Sequence, residues 1–211
     1  TDDSAKRVEM SQVVIKQLDR VTNMSRDVLG FARGTHELFI QKVHVNDFAE
    51  EARELVQQVF SGTDIHAELV ARYRGVARFD KLKAMRVVQN LARNSRDALM
   101  HPNHASQAQL SPQRFTMVID QEGDQLILTF SDTGPGVAPE FQHRMFEAFA
   151  TQGKKDGTGL GLAMVQRFAQ SHGGDITYSD TPGGGATFEV RIALSTPTAS
   201  QLLELGPPVV G

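Results

Sequence analysis

The chain of 211 residues contains no cysteine, which excludes disulfides and thiolate metal sites and fits a reducing compartment. It carries little net charge. A formal charge of -3 leaves no electrostatic footprint for nucleic acid or for an acidic membrane surface. No apolar run approaches the roughly 20 residues needed to span a bilayer, and no signal peptide opens the chain. The segment is therefore expected in the cytoplasm without membrane contact, while a longer protein could still be membrane-anchored. Internal repeats are also missing. What remains is ordinary: hydrophobic residues at 40% and charged residues at 22% describe a globular protein of one full domain and a smaller appendage.

Residues 4–33 read as one amphipathic helix. Val14, Leu18, Val21, Met24, Val28 and Phe31 recur at three- and four-residue steps, with no proline between them, and Gly34 is a plausible stop. Nothing nearby in sequence covers that stripe, so pairing with another helix, in a homodimer or from a missing segment, is expected; packing on its own domain is the alternative. A short strand at 43–45, then a helix capped by Asn46 or Asp47 and running to Phe60, should follow. Next come a turn at 61–64 and a strand over 65–73. Asp80 should cap a long helix through Leu82, Met85, Val88, Leu91, Ala92 and Leu99. Strands are expected at 114–120, 125–131, 175–179 and 186–194, and a helix from about Gly159 to His172 should stop at Gly173-Gly174. The fold class is α+β, a two-layer sandwich of helices on one face of a mixed sheet, preceded by the long first helix. We divide the chain into 1–40, a domain over 41–195, and a linker-like tail over 196–211.

Four short motifs carry the chemistry. Asn90 and Asn94 lie four apart, so both amides share one helix face. They either face solvent or offer neutral oxygens suited to Mg²⁺ and phosphate; two poor helix formers in mid-helix need a reason. Asp132 ends an apolar strand, and a carboxylate buried there must find a donor. The exocyclic amine of adenine would serve, and would select against guanine. Gly134 and Gly136 then let the backbone turn beside a base. Gly157, Thr158, Gly159, Leu160 and Gly161 lead into an apolar helix, and free amides at a helix start bind phosphate. The spacing is neither a Walker loop nor a dinucleotide fingerprint. Lys154 and Lys155 either neutralise phosphate or are solvated surface. Thr187, after Gly183-Gly184-Gly185, could meet Asp132 or a water beside the base. Phe146 and Phe149 could anchor a lid over the nucleotide or form a satellite core.

In this order the motifs resemble the GHKL ATPase superfamily, and within it the bacterial sensor histidine kinases. The resemblance covers about Val43 to Leu194, through the N box Gln89–Ala98 and boxes at Asp132, Phe146, Gly157 and Gly183. It implies a Bergerat-type fold that binds ATP with Mg²⁺. Asn94 would be the metal ligand, Asn90 would lie near the phosphates and Asp132 on adenine, with the Gly157–Gly161 amides at the phosphates. Two positions depart from the pattern. Ala148 stands where proline is usual, and Asp97 stands where many such kinases carry a lysine, which shifts charge neutralisation toward Arg93, Lys154 or Lys155.

Residues 28–33 look like the end of the second helix of a dimerisation and phosphotransfer hairpin, whose first helix is not evident. Of seven histidines only His36 is followed by Glu, and Phe39-Ile40-Gln41 breaks the rest of the acceptor pattern, so a hinge role is the stronger reading. His101 and His104 read as a solvated loop. The expected activity is transfer of the γ-phosphoryl group of ATP to a histidine, for relay to the receiver domain of a response regulator. The alternative is a regulatory module that binds ATP and changes a helix interface without transferring phosphate.

Overall fold

The computed structural model describes residues 38–101, 112–151 and 158–195. The expected first helix, His36, His104, Lys154, Lys155, Gly157 and the 196–211 tail lie outside them.

The described residues form β1 (Gln41–His44), α1 (Val45–Phe60), β2 (His66–Ala71), β3 (Val76–Phe79), α2 (Lys81–Leu99), β4 (Arg114–Glu122) and β5 (Gln125–Asp132). After these come α3 (Pro139–Gln142), α4 (Gly161–Ser171), β6 (Ile176–Asp180) and β7 (Ala186–Ala193). Five strands make one sheet in the order β2-β4-β5-β7-β6, with β2 and β4 parallel and every other neighbouring pair antiparallel.

Alternation along β4, β5 and β7, broken by the buried Ile127 of β5, gives this sheet two unlike faces. Phe115, Met117 and Ile119 of β4, Leu126, Leu128 and Phe130 of β5, and Phe188, Val190 and Ile192 of β7 are all buried. They join one core with α1, α2 and α4, and Phe60 of α1 stacks on Phe115 with ring centroids 4.9 Å apart. Thr116, Thr129, Ser131, Thr187, Glu189 and Arg191 occupy the opposite, half-exposed face. The expected sandwich of helices on one side of a mixed sheet is what forms.

Asp80 caps α2 as expected, its Oδ1 accepting from the Lys83 N–H at 3.0 Å. The core stripe of α2 is Ala84, Val87, Val88, Leu91, Ala92, Ser95 and Leu99. Leu82, expected in that stripe, is instead 73% exposed, because its position falls off the buried face. The cap expected for α1 at Asn46 or Asp47 is also corrected. The helix starts at Val45, with His44 before it and no side-chain cap. Tertiary structure sets that start, since the Val45 N–H donates to the Gly75 carbonyl at 2.9 Å.

One strand was not anticipated. β3 pairs antiparallel with β1 in a separate two-stranded sheet, Gln41 opposite Phe79. Phe79 packs edge-on against Phe48 of α1, their centroids 5.4 Å apart. The Gly173-Gly174 stop of α4 is observed, with Gly173 at φ +72°. A Cβ on Gly174 would lie 1.9 Å from the Arg191 carbonyl oxygen, so only glycine lets the chain turn there. Among the described residues no helix is long and apolar enough to cross a membrane.

Candidate nucleotide-binding site

The buried end of β5 sets one pole of the site. Asp132 is 3% exposed, deep enough that an unpartnered carboxylate would cost several kcal/mol. Its Oδ1 accepts from the Gly134 N–H at 2.9 Å and from the Ala186 N–H at 3.1 Å. Its Oδ2 accepts from the Ser95 hydroxyl at 2.7 Å. The chain itself therefore supplies donors that the sequence reading assigned to a ligand. A carboxylate offers about four acceptor positions. Three are filled, and Oδ2 is the oxygen with one protein donor.

Two glycine turns close on this carboxylate. A Cβ on Gly185 would lie 1.9 Å from the Asp132 carbonyl oxygen, and one on Gly136 would lie 3.2 Å from the Gly185 carbonyl oxygen. Both residues have positive φ, +118° and +74°. The turns after β5 and before β7 thus touch backbone to backbone, which any side chain would prevent. Thr187 does not join them. It sits on the open face of the sheet, where its hydroxyl donates to Ser131 Oγ at 3.0 Å and lies 2.9 Å from Thr181 Oγ1. The expected meeting with Asp132 fails by one residue of strand parity; the Ala186 amide makes that contact instead.

The second pole lies where α4 begins. A Cβ on Gly161 would be 3.9 Å from both Asn90 Cγ and Asn94 Nδ2. The start of α4 therefore faces the two amides of α2. No side chain caps α4, whose preceding residue Leu160 is fully buried. Its first N–H groups are of the kind that bind phosphate oxygens. The Thr158 hydroxyl turns back to accept from the Leu160 N–H at 3.4 Å.

The segment after the first glycine turn reaches this second pole. The Phe149 N–H donates to the Gly159 carbonyl at 2.9 Å. A Cβ on Gly159 would fall 2.4 Å from the Phe149 carbonyl carbon, and both residues have positive φ, +67° and +69°. Of the two phenylalanines expected to anchor this segment, Phe146 packs against the core, whereas Phe149 is 62% exposed and docks through its backbone. Arg93 and His101 are exposed.

Ser95 is the site residue that sequence reasoning missed. It is the one hydroxyl in an otherwise apolar helix stripe, and a buried hydroxyl needs an acceptor. That was a readable signal.

The sequence profile described as "Histidine kinase-, DNA gyrase B-, and HSP90-like ATPase" matches residues 79–196. The sensor histidine kinase ZraS of Salmonella typhi is 31% identical over 186 residues, which cover 86% of this chain and 37% of ZraS. The chain thus spans well under half the length of this relative. The structure of full-length ShkA in complex with AMPPNP superposes with a TM-score of 0.71 at 24% identity, covering 92% of this chain and 40% of ShkA. The histidine kinase ThkA, solved in complex with the response regulator protein TrrA, superposes with a TM-score of 0.66 at 17% identity, covering 86% and 49%. At these identities the two structures establish the shared fold.

Proposed function

Because the chain belongs to the histidine kinase-, DNA gyrase B- and HSP90-like ATPase family, we propose that it is the ATP-binding catalytic part of a two-component sensor histidine kinase. The observation that carries this reading is the apposition of the α4 start with Asn90 and Asn94. Adenine would lie at Asp132, its amine donating to the open position on Oδ2. The phosphates would lie at the Thr158–Gly161 backbone, extended by Gly157, with Lys154 and Lys155 offsetting phosphate charge.

A Mg²⁺ ion fits the donor set, since each side-chain amide carries a neutral oxygen and both lie beside the start of α4. Asn94 would ligate it and Asn90 would stand near the phosphates. When bound, the ion neutralises phosphate charge. The chain's contribution is placement: it would hold ATP with adenine at one pole and the triphosphate at the other, in line for phosphoryl transfer. A ring nitrogen of an acceptor histidine would form the new bond to the γ-phosphorus as the bond to the β,γ-bridging oxygen breaks, leaving ADP.

That histidine would lie on the first helix of a hairpin whose second helix is residues 1–40, which would also make the homodimer, and the phosphoryl group would pass to the receiver domain of a response regulator; ThkA is solved in complex with a response regulator protein, TrrA. Residues 41–195 are then the catalytic domain and 196–211 a linker.

The test is incubation with γ-labelled ATP and Mg²⁺, using this chain alone and a version extended upstream through a complete hairpin. Acid-labile, base-stable label on the extended protein is expected, with more than about tenfold less after Asn94→Ala. Full nucleotide binding with no label in any sample would overturn the kinase reading in favour of a non-phosphorylating module.

A further inference from the structure

Tyr178 belongs to none of the motifs, yet it grips the turn that closes the adenine pole. Its hydroxyl donates to Asp180 Oδ1 at 2.5 Å and accepts from the Val137 N–H at 3.2 Å. Val137 is the first residue after the Asp132–Gly136 turn. Its carbonyl accepts from Gln142 Nε2 at 3.1 Å, so side chains hold both of its backbone polar groups. The phenol also packs close to the turn, for a Cβ on Gly136 would lie 3.7 Å from the Tyr178 hydroxyl oxygen. Its ring rests on Phe188 of β7, centroids 5.5 Å apart. Burial, and then the bond to Asp180, push its pKa above the ordinary value and keep the hydroxyl protonated.

We propose that Tyr178 is a positioning residue for the nucleotide, fixing the exit of the Asp132–Gly136 turn and, through Val137, the segment that docks on the phosphate-binding turn. The proposal rests on the ATP-site reading above. The entry of the turn is held by Asp132, which accepts from Gly134. The exit is held by Tyr178, which accepts from Val137. Twelve residues later the same strand of chain meets Gly159 through Phe149. One phenol on β6 therefore braces the path from the adenine pole to the phosphate pole. Asp180 sets the rotor: with its proton committed to the carboxylate, the hydroxyl oxygen turns a lone pair to Val137.

The same contacts could serve only to secure an edge strand. The two roles separate in a measurement of ATP affinity on folded protein. Tyr178→Phe keeps the ring and its packing but removes the acceptor for Val137. In the full chain, its Kd for ATP should rise about fivefold, the size of one neutral hydrogen bond, mainly through faster dissociation. Amide exchange should accelerate at Val137 and along 137–149, with β4 and β5 unaffected. Asp180→Ala frees the hydroxyl to rotate and should shift Kd the same way by less. If the unmodified chain binds no ATP, the functional reading fails and the proposal with it. If the unmodified chain binds and both variants match it, the proposal alone is overturned; should Tyr178→Phe not fold, Asp180→Ala decides.

Discussion

A buried carboxylate reads a ligand well only when its oxygens are held still. Asp132 meets that condition through two backbone amides on Oδ1 and one hydroxyl on Oδ2. The Ser95 bond at 2.7 Å is the shortest of the three, and Ser95 is itself buried. Its hydroxyl orients Oδ2 and leaves one acceptor position on it unfilled by the protein. Ser95→Ala removes that donor from a site water does not easily reach. Stability should fall by about 1–3 kcal/mol, the cost of leaving a buried acceptor short of a partner. Urea unfolding of the nucleotide-free protein measures this, and a loss under about 0.5 kcal/mol, as for an ordinary surface change, would remove Ser95 from the account of Asp132.

At the scale of elements, the site depends on turns that approach more closely than side chains allow. Gly159 has φ +67°, and its missing Cβ would sit 2.4 Å from the Phe149 carbonyl carbon. Gly62 has a similar φ of +73° but nothing within 4 Å of its missing Cβ. Alanine at either position adds about 1–2 kcal/mol of left-handed strain. Only at Gly159 must the Phe149 backbone also move, next to the start of α4. Gly159→Ala should therefore weaken ATP binding by about tenfold or more, while Gly62→Ala binds normally despite its lower stability. Calorimetric titration of both variants distinguishes strain from displacement.

The elements with local signals were legible. The capped, periodic α2, the β4–β5 hairpin and the helix ending at Gly173 all lie where the sequence placed them within a few residues. The misses have non-local causes. β3 is four residues long and exists by pairing with β1, more than 30 positions earlier. The start of α1 is fixed by the Gly75 carbonyl rather than by Asn46 or Asp47. Thr187 carries the residue type suited to the base but stands on the wrong side of the pleat. Type and spacing identify which residues a site needs, whereas strand parity and tertiary bonds decide which of them arrive.

For the molecule as a whole, His172 ties distant elements together and makes the fold sensitive to acid. It is fully buried at the end of α4, with its ring 4.2 Å from that of Phe168. Its Nε2 accepts from the Asp80 N–H at 3.0 Å, at the cap of α2, and its carbonyl accepts from Ala193 at the end of β7. Because an amide can only donate, Nε2 must carry the lone pair; Nδ1 then holds the proton and donates to the Phe168 carbonyl at 2.8 Å. Burial depresses the pKa below its ordinary value of 6.5, opposed by the Phe168 carbonyl and the Asp80 charge and aided by Lys83. With the folded pKa depressed, the unfolded chain binds more protons once the pH drops below 6.5. His172 thus contributes stability that is present above that value and lost as pH falls through the folded pKa. The urea midpoint should decline as the pH falls below 6.5 at constant salt, and His172→Gln should flatten the decline while lowering stability throughout. An unchanged midpoint in the unmodified protein would mean that His172 takes up a proton in place, which the donated Asp80 amide forbids unless α2 and α4 separate at that end.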